Sequence, residues 1–424
     1  MNTPRFTGLD GLRYGLMGLP LAFVALPLYV MLPNYYAREF GVPLATLGLV
    51  LLGARLLDAL SDPLIGRWTD RLFARSPQSV LGLGAAAALV MALGFTLLFF
   101  PPARESAVMV SWVATMLVIT YAGYSALSVA HQSWGAMLGG DEAQRSRIVA
   151  WREGLGLAGV LLASVLPLTL GLGATAAVLA AALAAGWFAW GRARRPVPQP
   201  AQAAASVWLP FAQPPFRRLL AVFMLNGIAS AVPATLVLFF VQDRLQAPRS
   251  IEPAFLGIYF LCAALSMPLW LLVVKRLGLA RSWLAGMALA VAVFIWAALL
   301  GPGDVAGFLA VCALSGAALG ADLALPGALL AGVIARAGHR GRGEGAYFGW
   351  WSFATKLNLA LAAGLALPLL QLAGYVPGAR DAQALQALGV AYCLLPCALK
   401  MAAAATLYFG MIHPAQNGVR AENQ

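Results

Sequence analysis

Long apolar stretches alternate with short polar clusters along this chain. Apolar segments of about 20 residues, the length a helix needs to cross a hydrocarbon layer about 30 Å thick, recur twelve times, centred near residues 22, 55, 90, 118, 159, 181, 229, 263, 290, 319, 358 and 397. Each predicts a membrane-spanning helix, because a helix satisfies its own backbone polar groups in lipid. The longest interruption, GRARRPVPQPAQAAASVWLPFAQPPFRR over 191–218, is rich in Pro and Ala and reads as a linker. It divides the helices six and six, with an N-terminal bundle over 1–191, a linker over 192–216, a C-terminal bundle over 217–411 and a tail over 412–424. The expected fold is an all-α membrane protein of twelve transmembrane helices in two six-helix bundles.

Charge changes the picture only by fixing orientation. The 424 residues are 61% hydrophobic and 10% charged, with a net charge of +12. Of the 28 Lys and Arg, 20 fall in the segments that share a side with the N-terminus, five on the opposite side (Arg38, Arg104, Arg244, Arg249, Arg380) and three inside helices (Arg55, Lys356, Lys400). That asymmetry is the positive-inside bias. It places both termini and the loops around Arg71, Arg145, Arg195 and Arg340 in the cytoplasm, in a plasma (inner) membrane, and removes the need for a nucleic-acid partner. The first apolar segment follows Arg5 and Arg13, runs past 20 residues and holds three prolines, so no cleaved signal peptide is expected. The four cysteines all fall in predicted helices and form no metal or disulfide pattern.

The two halves carry a repeat. LSDPLIGRWTDRLFARS (60–76) and LSMPLWLLVVKRLGLARS (265–282) share Leu-Ser-x-Pro-Leu, then Arg-Leu at the same offset, then Ala-Arg-Ser one residue later. Helices 2 and 8 therefore occupy equivalent places in halves of like orientation, an arrangement that puts substrate near the midplane between halves. Asp58 aligns with Ala263 and Asp62 with Met267. The scaffold can be built there without acids, so the two carboxylates are an addition to it.

Arg55, Asp58 and Asp62 lie within about 60° of one another on one helix face. A charge near the bilayer centre costs about 2.5–3.5 kcal/mol on insertion scales, so this stripe must face a cavity or partners. Two carboxylates one turn apart disfavour joint ionisation unless a cation or proton sits between them. Ser61 adds a hydroxyl, and Pro63 leaves the carbonyl of Ala59 without its helical donor. Such hard oxygens suit Na⁺ or H⁺. The competing reading, in which Arg55 only neutralises one acid, leaves the second unexplained. Further on lies Gly66-x-x-x-Asp70-Arg71.

With these residues in place, the chain resembles the glycoside–pentoside–hexuronide:cation symporters, the melibiose-permease-like branch of the major facilitator superfamily. The resemblance runs through Tyr14-Gly15, the Arg-x-x-Asp-x-x-x-Asp-Pro core of ARLLDALSDPLIG, the DEAQRSR loop with Arg152 after it, and EGAYFGWWSFATKL in helix 11. It implies the major facilitator fold with pseudo-twofold symmetry, and alternating access by a secondary transporter. It implies cation ligation by Asp58 and Asp62, a coupling lysine at Lys356, and a lock on the cytoplasmic side at Gly66, Asp70 and Arg71. Independently of the family, Gly349, Ser352, Ala360 and Ala363 share the Lys356 face within about 40°, a small-residue stripe with room for a cavity. Lys356 lies too deep in its helix to snorkel.

The departures lie at the substrate. Sugar-transporting relatives place a Lys-Asp pair in helix 1, where this chain has Leu21 and Ala22, and an aspartate in helix 4, where it has Ser128 followed by His131, Gln132 and Trp134. Tyr124, Ser128 and Trp134 each lie within about 60° of His131 on the helix, and the four are candidate substrate contacts, with Arg152 and Asp322. A satisfied core histidine is the competing reading of His131. GLGLAG (154–159) meets G-x-G-x-x-G but lies within a membrane helix with no strand before it, so it reads as helix packing; Gly316 and Gly320 read likewise. No P-loop is present in the sequence. The expectation is a monomeric symporter, not an enzyme and without a cofactor, that couples Na⁺ or H⁺ to a small, sugar-like solute. The alternatives are an amphipathic cargo such as a lysolipid on the same fold and, less favoured, a membrane-embedded lipid enzyme.

Overall fold

The computed structural model describes residues 6–40, 42, 44–102, 106–196, 206–341, 343–375 and 378–414. Arg5, Arg104, Arg342 and Arg420, the middle of the linker (197–205) and the tail from 415 lie outside them, as do the side chains of Arg38, Arg249 and Ala363. The described residues form helices and no strand. In order these are α1 (Gly8–Gly15), α2 (Gly18–Phe23), α3 (Leu32–Phe40), α4 (Leu44–Arg75), α5 (Pro77–Phe99), α6 (Ser106–Met137), α7 (Glu142–Thr169), α8 (Gly171–Gly191), α9 (Pro214–Phe239), α10 (Glu252–Leu277), α11 (Leu279–Ala297), α12 (Val305–Arg336), α13 (Glu344–Leu372), α14 (Ala382–Gly389) and α15 (Leu395–Leu407). All twelve predicted centres fall in these helices. Among the described residues, nine spans are long and apolar enough to cross a membrane.

Helix starts follow local chemistry. Thr7 and Asp10 form a capping box at α1, and Ser76 caps α5 with Pro77 at its first position. Asp141 caps α7 and Asp381 caps α14. Long helices carry internal prolines, among them Pro63, Pro167, Pro233, Pro268 and Pro326.

By contact the chain divides into two compact units, Met1–Ala212 with Ala331–Phe353, and Gln213–Leu330 with Ala354–Gln424. The boundary expected at the linker would put 331–353 in the C-terminal bundle. The end of α12 and the first turns of α13 instead group with the first unit, where Gly345 and Gly349 of α13 lie against Gly66 and Asp62 of α4.

The first unit is built around fully buried aromatics, Tyr14, Phe95, Phe99, Trp134 and Trp190. Its first helices lie backbone-close to α7. A Cβ on Gly15 would stand 2.7 Å from the carbonyl oxygen of Trp151, and one on Gly159 would meet the carbonyl of Leu19. Gly159, the last glycine of GLGLAG, thus serves helix packing. In the second unit, Phe240 stacks on Tyr392 with centroids 4.2 Å apart. Gly316 and Gly320 bring α12 against the backbone of α10 at Tyr259 and Ala263.

Candidate functional site

On α4, Asp58 is 5% exposed and Asp62 fully buried. Asp58 Oδ1 accepts a hydrogen bond from Ser125 Oγ of α6 at 2.6 Å. The Arg55 guanidinium lies 5.7 Å from the ring centre of Tyr121, one turn before Ser125. Arg55 and Asp58 on α4 thus meet Tyr121 and Ser125 on α6, matching one-turn spacings on two packed helices. Ser61 Oγ donates to the Asp58 carbonyl at 2.8 Å, which leaves its lone pairs as acceptors. Two carboxylates this buried, on one helix face, repel when both are ionised.

The repeat reproduces this scaffold without its charge. Ser266 Oγ donates to the Ala263 carbonyl at 2.9 Å, the same bond that Ser61 makes to Asp58, and Pro268 stands where Pro63 does. Ala263 and Met267, the counterparts of the two acids, are buried apolar residues.

α4 has 32 residues, about 48 Å at 1.5 Å per residue, which exceeds the hydrocarbon thickness. Its last turns, with Asp70 and the exposed Arg71, therefore stand beyond the apolar span. Asp70 accepts from Gly345 N at 2.6 Å and Ala346 N at 2.9 Å, so its two oxygens cap the start of α13. Gly66 and Gly345 face each other so closely that a Cβ on either would run into the other's carbonyl. Glu344 accepts from Gly341 N at 2.6 Å and Gly343 N at 3.3 Å. Burial, and after it the Glu344 charge, push the Asp70 carboxyl up to about 8, against the pull of its two backbone donors. Burial pushes Glu344 up to about 7.

The other predicted residues of the first unit are placed as follows. His131 is fully buried, with Nε2 2.8 Å from the carbonyl of Tyr14, whose hydroxyl donates back to the His131 carbonyl at 3.1 Å. Its ring stacks on Tyr14 at 4.3 Å and meets the edge of Trp190 at 5.2 Å. Trp134 is also fully buried and donates to the Arg194 carbonyl at 3.0 Å. These two belong to the aromatic core. Ser128 is buried and accepts from Gln132 at 2.9 Å, while Tyr124 is half-buried against the same core. Arg152 pairs with Glu153, its Nε donating at 2.9 Å. Leu21 is buried, and Ala22 packs beside Gly156 of α7.

In the second unit, Asp322 of α12 and Lys400 of α15 form an ion pair at 2.7 Å. Asn226 and Ser230 of α9 and Trp283 of α11 complete a network around them. Sequence reading assigned Lys400 no role and passed over Asn226, Ser230 and Trp283. A signal was present: Lys400 is the lone charge of its span and Asp322 the lone acid of its own, and opposite charges at membrane depth must find partners. Lys356 is 8% exposed in α13. Two residues on, Asn358 reaches the Phe223 carbonyl of α9 at 3.4 Å.

The family model described as "MFS/sugar transport protein" matches residues 13–413. The chain belongs to this family. As an MFS/sugar transport protein it is a multi-pass membrane transporter and not an enzyme, which removes the lipid-enzyme alternative. A curated relative, the inner membrane symporter YicJ of Escherichia coli K12, is 29% identical over 147 residues, covering 34% of this chain and 30% of that protein. The matched stretch is thus about a third of that relative's length. Among solved structures, a bacterial homologue of the iron transporter ferroportin in an outward-facing state aligns with a TM-score of 0.74 at 17% identity, over 95% of this chain and 99% of that one. The Escherichia coli fucose:proton symporter FucP aligns with a TM-score of 0.64 at 15% identity, over 92% and 98%. At these identities the structures share the major facilitator fold, which is the fold the resemblance implies.

Proposed function

We propose that this MFS/sugar transport protein is a symporter that couples Na⁺ or H⁺ to a small organic solute by alternating access. Asp58 and Asp62 hold the cation, with Ser61 beside them. The observation that carries this reading is the burial of both acids on one face of α4, with Ser125 donating to Asp58 at 2.6 Å. When the site is empty, two carboxylates share a low-dielectric space at a cost; a bound cation offsets it. Arg55 and Lys356 tie the charge state of the site to transport. Gly66, Asp70 and Arg71 form the gate, in which a carboxylate holding the start of α13 can let go as the protein opens on that side.

The repeats act as two six-helix halves joined by the 192–216 linker, with both termini in the cytoplasm and the protein working as a monomer in the plasma membrane. Tyr124, Ser128 and Arg152 offer polar groups to the solute, whereas His131 and Trp134 brace the helices behind them. Similarity to a family described as sugar transport and to a symporter supports a sugar-like solute.

Counterflow in proteoliposomes with panels of labelled sugars and organic acids, run with a Na⁺ gradient, a pH gradient or neither, tests the reading. Accumulation of one class that follows one gradient supports it. Uptake of that class at the same level without either gradient would overturn coupling.

A further inference from the structure

The second unit holds a partly open cavity of about 300 Å³ that the coupling reading leaves unused. Phe255, Tyr259, Phe294 and Tyr392 give it aromatic walls, and Ser230, Asp322 and Lys400 form its one charged end. The volume sits at the lower edge of small-molecule pockets, roughly 300–1,000 Å³.

The bonding at the polar end decides the charge of what fits. Lys400 has three protons and three acceptors: Asn226 Oδ1 at 2.8 Å, Ser230 Oγ at 3.1 Å and Asp322 Oδ2 at 2.7 Å. Asp322 Oδ1 in turn accepts from Asn226 at 3.1 Å and Trp283 at 2.8 Å. The formal charges cancel, and the lysine has no donor to spare.

An added anion would have to take a proton of Lys400 away from one of these partners and leave net negative charge against an apolar wall. A cation would compete with Lys400 for Asp322 and leave the opposite imbalance. Both outcomes are costly in a desolvated site. A sugar brings more hydroxyls than this end can satisfy, and the remainder would be buried without partners. One link is slack: the Ser230 hydroxyl reaches Asp322 Oδ2 only at 3.5 Å. A single neutral O–H or N–H directed at that oxygen improves the network without altering its charge.

We infer that this cavity is a binding site for an uncharged, largely apolar small molecule of the hydroxylated-arene class. Its ring lies among the four aromatic side chains, where offset and edge-on contacts favour a planar body. Its one hydroxyl meets Asp322 and Ser230. The site is formed wholly by the second unit, and its occupant touches α9, α10, α11, α12 and α15 together, so binding stabilises that unit as a whole.

The test uses the purified 424-residue protein in lipid nanodiscs, with equilibrium binding and thermal melts for four naphthalene probes of similar size: 2-naphthol, 2-methylnaphthalene, 2-naphthoate and 2-naphthylmethylammonium. Naphthol should bind saturably at one site and raise the melting temperature. The two charged probes should bind at least about tenfold more weakly, reflecting the cost of charge imbalance. Ser230→Ala should weaken naphthol several-fold while leaving methylnaphthalene unchanged, a difference that a merely structural serine would not produce. Ala234→Phe and, independently, Ala290→Phe narrow the cavity, and whichever folds should lose naphthol. Equal binding of naphthoate and naphthol, unaltered naphthol binding in the folded Phe variant, or displacement of naphthol by alkane chains alone would each overturn the assignment, the last by showing a lipid-tail groove.

Discussion

Asp70 holds the start of α13 with both oxygens of its carboxylate, one on Gly345 N at 2.6 Å and one on Ala346 N at 2.9 Å. Asp70→Ala removes both bonds to the start of α13 and should cost about 1–2 kcal/mol, the scale of losing a strong cap. Gly345→Ala should be at least as damaging, because its Cβ would stand 2.9 Å from that carboxylate as well as against Gly66. Melting temperatures of the two variants check this.

The same crossing should make stability depend on pH. The folded-state values of about 8 for Asp70 and about 7 for Glu344 lie above those of free carboxyls. From about pH 5 to about pH 8 the folded protein therefore binds protons that the unfolded chain has released, and stability falls as pH rises through that window. Thermal melts should be lower at pH 8.5 than at pH 5.5. Asp70→Asn should flatten the upper part of the slope and leave the part belonging to Glu344. A slope unchanged by Asp70→Asn would dissociate the pH effect from this contact.

Asp58→Asn or Asp62→Asn should abolish accumulation driven by a cation gradient, while the protein inserts and melts normally. Ser125→Ala removes one hydrogen bond to a carboxylate and should lower cation affinity by roughly tenfold. Lys356→Ala should retain counterflow but lose accumulation. Wild-type accumulation in either asparagine variant would exclude a two-carboxylate site.

Lys400→Ala leaves Asp322 buried at the wall of an apolar cavity and should cost about 3–5 kcal/mol, as does breaking a buried pair by removing one partner. The double variant Asp322→Asn, Lys400→Met should recover much of that loss, since it removes both charges. Asp322→Asn, Lys400→Met and the double variant, compared by expression and melting, form the cycle that measures the coupling.

A cysteine placed at the exposed Gln78, just after the basic turn that ends α4, should resist membrane-impermeant reagents in intact cells and react in inverted vesicles. Efficient labelling in intact cells would invert the topology read from the arginines and lysines.

Much of this protein is local, and what is local is legible in a sequence. Each span is recognisable by itself, because about 20 apolar residues in lipid have few alternatives to a helix. The Asp58–Asp62 stripe is legible because both residues sit on one helix, whose geometry fixes their spacing, and the repeat is legible because Ser61 and Ser266 make the same three-residue bond in each half. What tertiary structure alone decided is which residues of different helices meet. Periodicity put His131 and Trp134 on one face of α6 but could not say that this face turns to Tyr14 and Trp190. Ser125 as the donor to Asp58, Gly345 as the ward of Asp70, and Lys400 as the counterion of Asp322 lie 67, 275 and 78 positions from their partners. No spacing rule reaches that far: such pairs are chosen by how helices pack, and a buried charge takes whichever partner that packing brings within reach.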